Sequence, residues 1–183
     1  RGTEDRATYT GQNAFPIFSP TGTHFAFGTD RDGPKQIFLN DGVNLRVPKR
    51  MTQGPFDVPS TRTPDGEELL ITCAYSSIGG NTDIYAVAVD RPDTPRAVVA
   101  TPADERSPEL SPDGKWLAYC SDENGRLELY VQPYPGPGPR VTITSGGAQD
   151  PAWSRNSSEL FYRAGAAVMA LPFTVSGGAF VPG

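Results

Sequence analysis

The sequence predicts an all-β protein assembled from about four copies of a four-stranded antiparallel unit. Three observations carry this prediction. A Pro-Asp-Gly-type turn recurs about every 45 residues, the repeat length of a four-stranded blade. After each turn, apolar residues alternate with the period-2 pattern of a strand. The 183 residues include 20 glycines and 19 prolines, which leaves little room for long helices, because proline breaks them and glycine weakens them.

The repeat justifies each element in turn. The turns are "SPTG" at Ser19, "TPDG" at Thr63, "SPDG" at Ser111 and a degenerate "SRNS" at Ser154. Each is preceded by a short apolar strand, as in "FPIF", "SPEL" and "DPAW". Each is followed by a second strand marked by Phe25 and Phe27, Leu69 and Ile71, Leu117 and Tyr119, or Leu160 and Tyr162. "TDRDG" at Thr29 and "SDENG" at Ser121 are hairpin tips, because Asp-Gly and Asn-Gly between alternating runs supply the positive φ that tight hairpins need. Third strands follow from Gln36, Asp83, Leu127 and Ala167. Short fourth strands end at Thr52, Thr101 and Thr144.

One such sheet cannot cover both of its faces, whereas sheets packed radially bury each face against a neighbour, so the expected architecture is a β-propeller. The expected single domain, 1–183, divides into blades over approximately 14–54, 57–101, 105–146 and 149–173. The last copy shows three strands, so a strand over 6–10 is expected to complete it. A closed four-bladed ring, part of a larger ring, and a ring shared between two chains all remain open. An incomplete ring exposes apolar blade faces and favours association, including a homo-oligomer.

Composition narrows the function. The net charge of −5 lacks the basic footprint of a nucleic-acid binder. No apolar run approaches the roughly 18 residues of a membrane span. The chain begins Arg1-Gly2-Thr3, with no methionine and no recognisable signal peptide, so it is expected to be a mature product or an excised piece.

The repeat "P-x-x-S-P-D-G-x-x-L-A-Y" at Pro108–Tyr119, with weaker copies at Pro16–Phe27, Ser60–Ile71 and Pro151–Tyr162, resembles the TolB-like, WD-repeat-like β-propeller family. The tail "DPAWSRNSSELFYRAGAAVMALPF" is similar to propellers fused C-terminally to bacterial serine/threonine protein kinases, although no kinase motif is present. The resemblance implies a non-enzymatic sensory or scaffolding module that binds a protein or peptide, in a periplasmic or secreted setting. The alternative it implies is the accessory propeller of a prolyl-oligopeptidase-type hydrolase.

Catalytic chemistry finds little support. His24 is the single histidine, and no G-x-S-x-G elbow occurs, so a Ser-His-Asp triad is not expected. Cys73 and Cys120 fall one position apart in equivalent strands, hence on opposite faces, and are expected to be free buried thiols. No zinc pattern or cofactor motif is seen. The tips "DRDG" and "DENG" lack the ligand set of a calcium loop and read as turns. "NSS" at Asn156 occupies a turn slot.

The best binding candidates precede the first strands. Asn13, Asp57 and Glu105 share a position, with Asp104 and Asp150 close by in their copies. They are expected to form a partial acidic ring at the channel mouth, able to attract a basic partner. Arg62 aligns with the apolar Phe18, Leu110 and Trp153, and its expected partner is Asp57 or Asp65.

Overall fold

The computed structural model describes residues 6–42, 47–74, 80–155 and 158–183. These form sixteen strands in four antiparallel sheets, and within each sheet the strand order follows the chain. The first sheet contains β1 (Asn13–Phe18), β2 (Phe25–Thr29), β3 (Gln36–Asn40) and β4 (Lys49–Arg50). The second contains β5 (Asp57–Arg62), β6 (Glu68–Cys73), β7 (Asp83–Ala88) and β8 (Arg96–Val99). The third contains β9 (Glu105–Leu110), β10 (Trp116–Ser121), β11 (Glu128–Pro133) and β12 (Val141–Thr142). The fourth contains β13 (Gln149–Trp153), β14 (Glu159–Ala164), β15 (Ala167–Ser176) and β16 (Ala179–Pro182).

Consecutive sheets pack face to face, and their innermost strands touch in the order β1, β5, β9, β13. Alternation along each second strand supplies both faces. Leu69, Ile71 and Cys73 meet Ala26, Ile37 and Met51 of the first sheet. Leu70, on the other face, joins Ile84 and Val99 against Leu117, Tyr119 and Tyr130 of the third. Trp116, Ala118 and Cys120 then meet Trp153, Leu160 and Phe180 of the fourth. The two thiols are thus outside any disulfide, buried and on opposite faces, and burial pushes the Cys120 thiol up to about 12. On the outer face of the first sheet, Phe25, Phe27 and Phe38 are covered by Ala7 and by the Arg31 guanidinium, 4.9 Å from the Phe38 ring centre. Among the described residues, no comparable packing joins the fourth sheet to the first.

The turns are built as the sequence suggests. Gly22, Gly66 and Gly114 each donate N–H to the Ser or Thr that opens the turn, at 2.8 Å. In the "SPDG" turn, Ser111 Oγ donates to Asp113 Oδ1 at 2.6 Å, and Lys115 N–H donates to the same oxygen at 3.1 Å. The hairpin tips close through Gly33 N–H to Asp30 O and Gly125 N–H to Asp122 O. In the fourth turn, Asn156 and the residue after it lie outside the described residues.

One expectation is corrected. Residues 6–10 form no strand, and the last sheet takes its fourth strand from β16. The cause is Gly177-Gly178, with φ of 58° and 78°. Two consecutive positive φ values allow a tight hairpin that folds β16 back on β15, pairing Val175 with Phe180.

The turns also pack between blades. A Cβ on Gly114 would lie 2.8 Å from Pro64 Cδ, at a φ of 70° that disfavours any side chain, whereas nothing stands within 4 Å of the Cβ position of Gly125. Gly114→Ala is therefore expected to cost about 2 kcal/mol and Gly125→Ala about 1 kcal/mol or less, read from urea midpoints. Equal losses would show that φ alone matters and that the blade contact does not.

Candidate functional site

The four innermost strands share a distortion. β1, β9 and β13 each carry a bulge at a residue that precedes proline: Phe15 (φ 55°), Ser107 (φ 54°) and Asp150 (φ 52°). Positive φ is uncommon for residues other than glycine, and the residue before proline is normally extended. In β5 the register shift falls at Ser60, which follows its proline instead of preceding it. Bulges of this kind re-aim side chains.

These strands line a cavity of about 490 Å³, whose walls include Phe15, Phe56, Thr72, Arg106, Ser107 and Glu109. Phe15 and Phe56 are 51% and 46% exposed. Lys35 Nζ lies 5.4 Å from the centre of the first ring and 5.7 Å from the second. Glu109 is partly buried within the wall. Burial pushes its carboxyl up to about 7, against the opposing effects of the Thr61 hydroxyl and the Arg155 charge.

The candidates named from the sequence divide into three groups. Asp57 and Glu105 are fully buried. Asp57 Oδ2 accepts the Gly54 N–H at 3.1 Å, and its carboxylate meets the Thr52 hydroxyl. Glu105 accepts the Thr101 N–H at 3.1 Å and the hydroxyls of Thr101 and Ser121. Burial raises both groups above the usual carboxylate range. Asn13, Asp104 and Asp150 lie nearer the surface but are engaged. Asn13 donates to Gly11 O at 2.8 Å. Asp104 accepts Thr82 N–H at 2.8 Å and pairs with Arg106 at 2.8 Å. Asp150 pairs with Arg163 at 2.9 Å. Of the residues expected in a partial acidic ring, Asp57 and Glu105 are thus interior fasteners, and Asn13, Asp104 and Asp150 are paired nearer the surface.

Arg62 is a third case. It is 8% exposed, and Nε, Nη1 and Nη2 are buried without a hydrogen-bond partner among the described residues. The expected ion pair does not form. Asp57 is held by its own loop, and Asp65 by Thr63 Oγ1 at 2.5 Å and Glu67 N–H at 2.9 Å. Burial lowers the Arg62 pKa, and its charge adds to burial in lowering that of His24.

Sequence reading missed Phe15, Phe56 and Glu109. The X-Pro pairs at equivalent places in three inner strands were the available signal for the bulges. Glu109 was hidden inside an apolar-looking "SPEL". His24 Nδ1 meets the Thr23 hydroxyl, at 3.1 Å. Among the described residues, no three His, Cys, Asp or Glu side chains come together as a metal site.

Four-stranded antiparallel sheets packed face to face, with their innermost strands around one cavity, define a β-propeller module. The family model described as TolB beta propeller domain matches residues 2–176, and the chain belongs to that family. Its fold is similar to the putative TolB from Agrobacterium tumefaciens, with TM-score 0.73 and 19% identity, covering 94% of this chain and 66% of that one. It is also similar to TolB from Acinetobacter baumannii, with TM-score 0.72 and 24% identity, covering 96% of this chain and 44% of that one. A Mycobacterium tuberculosis puromycin-hydrolyzing peptidase gives TM-score 0.65 and 18% identity, covering 97% of this chain and 31% of that one.

Two outcomes test the chemistry of these residues. Because the folded pKa of Glu109 lies above its usual 4.5, the folded state holds this proton more tightly than the unfolded chain. Its contribution is full below about pH 4.5 and is lost as pH rises to about 7, on the order of 2 kcal/mol after allowing for partial exposure. Asp57 and Glu105 act in the same direction, so Glu109→Gln should flatten but not abolish the slope of urea midpoints between pH 4.5 and 7.5. Arg62→Leu, which restores the apolar residue of the other blades, should raise stability by about 1–3 kcal/mol in the same assay. A loss would mean that the guanidinium has a partner in solution.

Proposed function

We propose that the chain is a non-catalytic binding module that takes a protein or peptide segment into the cavity between its innermost strands, in a scaffolding or sensory role. The observation that carries this reading is the pair Phe15 and Phe56, half-exposed aromatic rings held at one cavity wall beside Lys35. Aromatic side chains in a rigid concave wall bury a large area at little entropic cost, which is the character of a binding hot spot. A rigid frame of packed sheets suits recognition by preformed shape. The described residues supply no activated nucleophile: both thiols are buried, and His24 contacts a threonine.

A second reading is favoured by the fold's similarity to the puromycin-hydrolyzing peptidase, of which the matching part is about a third of the chain. In that reading the module is an accessory propeller that filters access to a catalytic domain elsewhere in its polypeptide.

A partner recovered by peptide display against the module separates binding from a purely structural role. The double variant Phe15→Ala, Phe56→Ala is expected to weaken that partner about tenfold to a hundredfold by calorimetry, while urea midpoints change little. Unchanged affinity would move the site away from this cavity.

A further inference from the structure

The first and fourth sheets each leave uncovered what the sheets between them bury. Phe18 ends β1 at the position that Arg62, Leu110 and Trp153 hold in the other innermost strands. Those three are 8%, 6% and 9% exposed. Leu110 packs with Leu70 and Ile84 of the second sheet, and Trp153 Nε1 donates to Glu109 O of the third at 3.0 Å. Phe18 has no preceding sheet to enter and is 62% exposed. Behind it, Ala7 and Arg31 shield Phe25, Phe27 and Phe38, and Arg31 Nε is left buried without a hydrogen-bond partner among the described residues.

The outer face of the fourth sheet is the complement. Phe161 lies across from Ala152 and from Ala170, and Val168 lies across from Arg163. These residues share the face turned away from the third sheet, because the alternate residues Trp153 and Leu160 pack against that sheet. In register, Val168 and Ala170 stand where Leu129 and Val131 stand in the third sheet, and Ile84 and Ala86 in the second. Those four side chains are buried by the sheet that follows them. Val168 and Ala170 are exposed.

We propose that these two faces meet between two copies of the chain, the first sheet of each docking on the fourth sheet of the other, with Phe18 as the anchor. Ala7 then gives way to the partner's Val168 and Ala170. The contact repeats, between chains, the packing that already joins consecutive sheets within one. Contacts between unlike faces either close into a ring or run on as a filament. Propellers hold about four to eight blades. Two copies of four sheets therefore complete a ring, and three copies exceed it.

The test is sedimentation of the whole chain between about 1 and 100 μM. The expected species is a two-copy particle in reversible exchange with single copies. Phe18→Asp and Val168→Asp each replace a side chain that is exposed in the single copy, so circular dichroism should be unchanged. Each should weaken the pair about a hundredfold, because the altered contact occurs in it twice. Mixed in equal amounts, the two variants regain one unaltered contact, and mixed pairs should form about tenfold more tightly than either variant pairs alone. A single-copy mass at every concentration overturns the proposal and leaves both faces to sheets of a longer polypeptide. A pair that both variants leave intact, no recovery on mixing, or particles that grow beyond two copies overturn it as well. The cavity as partner site is independent of these results and is tested by the double phenylalanine variant.

Discussion

The chain must cross three times from the outer edge of one sheet to the innermost strand of the next, and each crossing is clasped by a buried or nearly buried carboxylate. At the first crossing, Asp57 takes the Thr52 hydroxyl and the Gly54 N–H. At the second, Glu105 takes the hydroxyl and N–H of Thr101. At the third, the equivalent position is Ala148, which has no side-chain acceptor. There Glu128 of β11 takes over, accepting from Thr144 Oγ1 at 2.6 Å and from Gly147 N–H at 3.0 Å. A backbone bond repeats beside each clasp: Asp57 N–H to Lys35 O, Glu105 N–H to Thr82 O, and Ala148 N–H to Leu127 O, at 2.7–2.9 Å. A polar loop passing between two apolar sheets would otherwise strand donors at a cost of about 1–3 kcal/mol each. The clasps are what let the sheets come close enough to bury their faces.

This arrangement explains how the acids of the chain divide. A carboxylate that accepts donors from its own loop has few sites left for a partner, however well its sequence position suits a channel mouth. The cavity wall is left to residues outside the clasps. There the bulges set Phe15 and Ser107 in the wall, with Glu109 two residues beyond Ser107 on the same strand. Burial dominates the proton affinity of Glu109 and of Glu105 alike, opposed by the Thr61 hydroxyl at the first and by Thr101 and Ser121 at the second.

Legibility in the sequence followed the range of the interactions. The turns at Ser19, Thr63 and Ser111 and the tips at Gly33 and Gly125 depend on residues within a few positions, and they were readable. So was the assignment of Cys73 and Cys120 to opposite faces, since that needs only a period of two. β16 was overlooked because its strand is short, although Gly177-Gly178 was a local signal for it. The site was legible only by position. Asp57 and Glu105 were correctly placed at the start of inner strands, but a clasped carboxylate and a solvated one read alike. Glu109 depends on Thr61 and Arg155 from other blades, and no local pattern encodes that meeting. Arg62 stood out as a charge in an apolar column, and only the packed structure reveals that its nitrogens are unpaired.

The Gly177-Gly178 hairpin has a consequence for how such a chain changes over generations. Because the last sheet is completed by its own neighbouring segment, each of the four sheets is formed by strands consecutive in the sequence, and among the described residues none borrows a strand from the opposite end. A duplication or deletion of one repeat then adds or removes a whole sheet with its clasp, without leaving an unpaired strand behind. A ring fastened by a strand from its far terminus has no such freedom, since each insertion must also preserve the meeting of the two ends. Blade number in a chain built this way is free to drift while the blade itself stays under selection.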